Sequence, residues 1–173
     1  MGQAQKDYEK LHSIAREIRH WQGISELLGW DQETYMPQES GEIRGEQLKM
    51  LAGLIHKERT GPKFTHALEK LINIESGTIK AHDLAADLKA GVQVWHRDYK
   101  RETSLPLTFV EDFALLCAES QLVWRTAKKK SDFNQVLAQY QSIDSAVLVL
   151  RPFWKTSFPN KSKSIQVIVN YPQ

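Results

Sequence analysis

At 173 residues, with 41% hydrophobic and 25% charged residues, the chain has the make-up of one soluble globular domain with a substantial core. The formal net charge of +2 resides in the tail, where Arg151, Lys155, Lys161 and Lys163 face Asp144 alone beyond residue 133, which excludes a uniformly basic nucleic-acid face on the near-neutral body. The single Cys117 excludes an internal disulfide and a cysteine-built zinc cluster, and the polar stretch Met1 to Lys10 lacks the apolar core of a secretory signal or membrane span, so the expected address is cytoplasmic.

In chain order, Leu11, Ile14, Ala15, Ile18, Trp21 and Leu28 recur at three- and four-residue steps, predicting a helix from Tyr8 to Leu28 with one apolar face and Gly29 at its C-cap. The run Trp30-Asp31-Gln32-Glu33-Thr34-Tyr35-Met36-Pro37 reads as a connector, because Pro37 biases Met36 away from the helical region and favours a new helix beyond it. Ile43, Gln47, Met50, Leu51, Leu54 and Ile55 continue as a second helix to His56, which Thr60-Gly61-Pro62 stops. A shorter helix is expected over Lys63 to Asn73, a fourth over Ile79 to Lys100, and a fifth from Leu105-Pro106 to Lys130. The fifth carries the longest apolar stripe: Phe109, Phe113, Leu116, Cys117, Trp124 and Ala127. Its end, Lys128-Lys129-Lys130, suits the negative pole of a helix. Cys117, among Phe113, Ala114 and Leu116, reads as a small core residue.

After Phe133 the composition changes. Glutamate is absent beyond Glu119, and Pro152, Pro159 and Pro172 cluster near the end. Asn134 to Ser142 is compatible with a helix, whereas Val147-Leu148-Val149-Leu150 and Ile165-Gln166-Val167-Ile168-Val169 are strand-like runs. The fold class expected is therefore all-α: an antiparallel array of about five helices over residues 1–140, followed by an irregular or strand-like tail over 141–173.

A histidine-based metal helix would need His-Glu-x-x-His, in which two imidazoles a turn apart share an ion. None of the six histidines is followed by glutamate, and no two lie four apart. Asp31 and Glu33 are the one acid pair in a connector, suited to acid and base roles if their surroundings split them. The structural alternative has Asp31 capping a turn and Glu33 pairing with Arg44. No phosphate-binding glycine loop and no Gly-x-Ser-x-Gly elbow occurs.

The segment from Leu28 to Pro37, followed by Arg44, Gln47-Leu48, Leu51, Leu54, His56 and Thr60, resembles the opening of the carboxypeptidase Taq family of metallopeptidases. Trp124-Arg125-Thr126-Ala127 leading to Asp132-Phe133 is similar to a later stretch of that family, so the likeness covers about residues 8 to 140. It implies a nearly all-helical, cytoplasmic and usually homodimeric enzyme that removes C-terminal residues from peptides, using zinc or cobalt held by His-Glu-x-x-His and a further glutamate. That motif is absent here, so no catalytic residue, metal ligand or cofactor is carried over to this chain. The resemblance places Trp30, Asp31, Gln32, Glu33, Thr34, Met36, Pro37 and Arg44 beside the substrate cleft of the intact enzyme. The expected function is an N-terminal fragment of a metal-dependent carboxypeptidase, inactive alone, whose tail is frame-changed or disordered. The rival expectation is a non-catalytic helical interaction module, with no membrane or nucleic-acid partner, whose exposed stripes include Leu116 and Trp124.

Overall fold

A computed structural model describes residues 2–132 and 134–157. Among them the chain is helical: α1 (Gln3–Thr34), a short 3-10 turn (Gln38–Ser40), α2 (Gly41–Thr60), α3 (Pro62–Glu69), α4 (Ala86–Glu102), α5 (Leu107–Lys130) and α6 (Asn134–Ser157). The one β-type pairing among these residues is an isolated antiparallel bridge between Ile72 and Ile79. The all-α expectation is thus met, and the chain divides into two compact units, Met1–Leu122 and Val123–Gln173.

In the first unit, the buried positions of α1 (Leu11, Ile14 and Ile18) follow the predicted face. They meet Phe64, Ala67 and Leu68 of α3 and Val92 of α4, with Leu71, Ile72, Ala81 and Leu84 from the intervening loop. Leu11, Leu68, Leu71, Ile72 and Val92 are fully buried, each such aliphatic side chain contributing about 1.5–3 kcal/mol through removal from water.

Two predicted boundaries move inward at the loop between α3 and α4. The third helix stops at Glu69 and the fourth starts at Ala86, where the pattern had given Asn73 and Ile79. A turn takes up the intervening chain: Lys80 and Ala81 donate their N–H groups to Leu71 O, Asn73 N–H donates to Thr78 O, and Gly77 N–H donates to Asn73 O. Asn73 Oδ1 accepts from the N–H groups of Glu75 and Ser76, and Gly77 takes the left-handed φ of 71° that the turn requires. Leu71 and Ile72 keep their place in the core without being helical, since apolar spacing is blind to this local competition.

Around this core, α1 and α2 form an antiparallel hairpin. α4 runs alongside the first half of α1 in the same direction: Gly2 lies by Asp83, Tyr8 by Gly91, and the Tyr8 and His12 rings by Trp95 at 5.5 and 6.2 Å. The part of α5 in this unit packs against α2 in the opposite direction, with Gly41 against Leu122, Gly45 against Leu115 and Gly53 against Glu111. A β-carbon at Gly45 would lie 2.8 Å from Leu115 Cδ1, so these glycines set how closely the two helices approach.

In the second unit, Ala127 and Val136 are buried. Asp132 precedes α6, its Oδ1 accepting from Asn134 N–H (3.1 Å) and its Oδ2 from Gln135 Nε2 (2.8 Å), the first of these the bond of an Asx turn. The three lysines close α5 as expected. Val147 to Leu150 correct the strand-like reading of the tail: they are helical, within α6. A valine costs only some tenths of a kcal/mol in a helix, and propagation from an already formed turn is favourable. The Ile165 to Val169 run lies outside the described residues.

Candidate functional site

The motif from Trp30 to Pro37 is not a connector through most of its length, because α1 continues through Gly29 to Thr34. Gly29 is inside the helix and not its C-cap. Thr34 Oγ1 donates to Trp30 O at 2.8 Å, and Asp31 O receives both Tyr35 N–H (3.0 Å) and Met36 N–H (2.9 Å). The helix therefore ends where Pro37 demands, a turn and a half later than the glycine suggested. Only Tyr35, Met36 and Pro37 form the connector.

Arg44, on the first turns of α2, gathers this end of α1. Its NH2 meets Asp31 Oδ2 at 2.6 Å, its NH1 donates to Leu28 O, and its Nε donates to Gln47 Oε1 at 3.1 Å. The guanidinium is nearly buried and the Asp31 carboxylate is one-third exposed. Leu28 lies within α1, six residues before its last residue, so the guanidinium takes a second acceptor position on a carbonyl of the helical ladder while it holds the Asp31 carboxylate. The expected pairing of Glu33 with Arg44 is corrected: Asp31 is the partner, and Glu33 is exposed with no hydrogen bond or ion pair among the described residues. Residues two apart on a helix point to different sides, so Asp31 and Glu33 do not form an acid pair.

Gln32 is 1% exposed. Its Nε2 donates to Ala118 O of α5 at 2.8 Å, while its Oε1 is buried with no partner among the described residues. Met36 is buried, whereas Trp30 and Tyr35 are exposed and meet edge to face at 5.5 Å. The structure thus brings Asp31, Gln32 and Arg44 into one polar junction of α1, α2 and α5. Trp30, Glu33, Thr34 and Pro37 lie exposed around it. The Asp31 carboxylate is engaged by Arg44.

A second polar junction holds the other end of α2. His56, 5% exposed, places Nδ1 3.2 Å from Glu102 Oε2, and Arg59 NH1 donates to Glu102 Oε1 at 2.7 Å. Among the described residues no group of three or more His, Cys, Asp or Glu side chains is placed to hold a metal ion. Cys117 is half-buried, and that burial pushes its thiol above the usual range.

A cleft of about 480 Å³ lies apart from the motif, between α1, α4 and the corner joining α2 to α3. Its wall on α1 spans His12 to Gln22, whereas Asp31 is nine residues further on, about 13 Å along the axis. Sequence reasoning missed this cleft. The signal was present as His12, Arg16 and Arg19 at steps of four and three, but the facing helix is invisible in a one-helix pattern.

The model of the carboxypeptidase Taq (M32) metallopeptidase family matches residues 10–147. Carboxypeptidase 1 of Bacillus subtilis (strain 168) is 26% identical over 128 residues, covering 73% of this chain and 24% of the relative. The crystal structure of BsuCP superposes with a TM-score of 0.78 at 21% identity, over 86% of this chain and 29% of that one. Trypanosoma cruzi metallocarboxypeptidase 1 gives a TM-score of 0.61 at 24% identity, over 87% and 29%. The fold is therefore that of the corresponding portion of these structures, and the chain spans about a quarter of the curated relative's length. Among the described residues no helix is long and apolar enough to cross a membrane.

Proposed function

This chain belongs to the carboxypeptidase Taq (M32) metallopeptidase family, and from that premise we propose that it forms the N-terminal helical part of an enzyme that releases C-terminal amino acids from peptides. The observation that carries the reading is the family match over residues 10–147, which spans α2 to α5 and most of α1 and α6. In this proposal Trp30, Asp31, Gln32, Glu33, Thr34, Met36, Pro37 and Arg44 border the peptide cleft. The Asp31, Gln32 and Arg44 junction fixes the last turns of α1, and Trp30 and Tyr35 present exposed rings beside it. The enzyme is cytoplasmic, homodimeric and dependent on zinc or cobalt, as the family resemblance implies.

The described residues do not fit that metal, since they bring no three suitable ligands together, and no step of peptide hydrolysis is assigned to them. The isolated chain is accordingly proposed to be inactive. Incubation of the purified chain with zinc or cobalt and an N-blocked dipeptide tests this: no chelator-sensitive release of the terminal amino acid is expected. Turnover that a chelator abolishes would contradict it.

A second reading, a helical interaction module without catalysis, draws on the exposed Ile24, Leu27 and Trp30 of α1 and Ile43 and Met50 of α2, an apolar display suited to burial against protein. Leu116, expected in that role, is half-buried, while Trp124 is exposed.

A further inference from the structure

The cleft between α1 and α4 has a polarity that neither the peptidase reading nor the family motif uses. One wall is the basic edge of α1, where His12, Arg16 and Arg19 recur at steps of four and three and so stand on one side of the helix over about 10 Å. Arg59 closes one end, Trp95 and Asp98 come from α4, and Phe64 supplies a buried apolar surface. The volume, about 480 Å³, is in the range that takes a small organic ligand.

The charges in this cleft are unequally committed. Arg59 is held by Glu102 at 2.7 Å. Asp98 is shared by Arg97 at 3.1 Å and Arg101 at 3.7 Å. Arg19 reaches Glu26 at 3.1 Å, but both side chains are about two-thirds exposed, and such a pair yields easily to a competing anion. Arg16 has no hydrogen-bond or ion-pair partner among the described residues. The uncommitted charge in the cleft is therefore positive, and it stands beside the indole of Trp95 and the exposed Val94. A guanidinium fork matches a carboxylate in two-point geometry.

We propose that this cleft binds a carboxylate bearing an apolar or aromatic side group, of amino-acid to dipeptide size. Arg16 is its principal ligand, Arg19 turns from Glu26 to join it, and Trp95 and Val94 receive the side group. The site is formed by α1, the α2–α3 corner and α4, so the proposal holds whether or not the chain serves in peptide hydrolysis.

Calorimetric titration of the 173-residue chain at low ionic strength with N-acetyl-L-phenylalanine, its neutral amide and free L-phenylalanine tests it. The acid should bind at least about tenfold more tightly than the amide, and Arg16→Ala should weaken acid binding about tenfold, the usual effect of losing one charged hydrogen-bonding partner. Arg16 is exposed, so the variant should keep its far-ultraviolet dichroism, and Arg16→Lys should recover part of the binding. Preference for the free amino acid would assign the ligand as a released residue, and preference for the acetylated acid as a peptide end; either satisfies the proposal. Equal binding of acid and amide, no binding of either, or an unchanged affinity in folded Arg16→Ala would overturn it.

Discussion

Helix α1 obeys opposite rules in its two halves. From Leu11 to Ile18 it buries apolar side chains against α3 and α4, while from Ile24 to Thr34 it exposes Ile24, Leu27 and Trp30 and buries Gln32 instead. The first half is held by area removed from water, a non-directional force that tolerates small shifts. The second half is held by a few directional bonds, Gln32 to Ala118 O and Arg44 to Asp31 and Leu28 O, which fail if the geometry moves. A single rod about 48 Å long therefore has an oily anchor at one end and a polar clasp at the other. The stretch singled out by family resemblance is the clasped end.

The sharpest way to break this contrast is to damage the oily anchor. Leu68 is fully buried against it, and Leu68→Ala should lower the stability of the first unit by about 2–5 kcal/mol, a cavity cost, read as a shifted urea midpoint with an unchanged slope. A loss below about 1 kcal/mol would mean that the anchor is not the main support. Arg44→Ala should cost less, about 2 kcal/mol, because it strips a partly buried carboxylate of its charged partner. The effect should be local to the end of α1. An equal loss in both halves would mean that the two ends of α1 are not held independently.

The smallest effect is expected at Cys117, next to the Ala118 carbonyl that Gln32 engages. Burial raises its thiol pKa, so at mildly alkaline pH it should react with a disulfide reagent more slowly than the same thiol in urea. The sign of the linkage follows: the folded state favours the neutral thiol, so this contribution to stability is complete below the unfolded-state pKa and is lost as pH rises through the folded one. Labelling as fast in the folded chain as in the unfolded one would show that the polar half is open to solvent.

The oily half was legible in the sequence and the clasped half was not, for a physical reason. Leu11, Ile14 and Ile18 announce their face by spacing alone, because burial of one stripe needs no knowledge of the partner. Gly29 and Pro37 gave competing stop signals for α1, and local chemistry favoured the glycine. The helix runs on to the stop set by Pro37, and its last turns are engaged by Arg44, thirteen residues beyond Asp31 in the chain, and by Ala118 still farther away, contacts that no local pattern encodes. The same limit applies to the loop after α3, where the bonds of Asn73 and Gly77 displaced a helical pattern. It applies again to the basic cleft, which needs α1 and α4 together. Glu33 was matched to Arg44 in place of Asp31 because both acids were assigned to a connector. Once they are helical, their side chains diverge.

Native-state hydrogen exchange of the Leu28 to Thr34 amides, in the wild-type chain and in Arg44→Ala, tests most directly whether the clasp holds the end of α1. Protected amides through Thr34 are expected in the wild type and a selective loss of that protection in the variant, with Leu11 to Ile18 unchanged. Amides already unprotected beyond Gly29 in the wild type, or protection indifferent to Arg44, would contradict it.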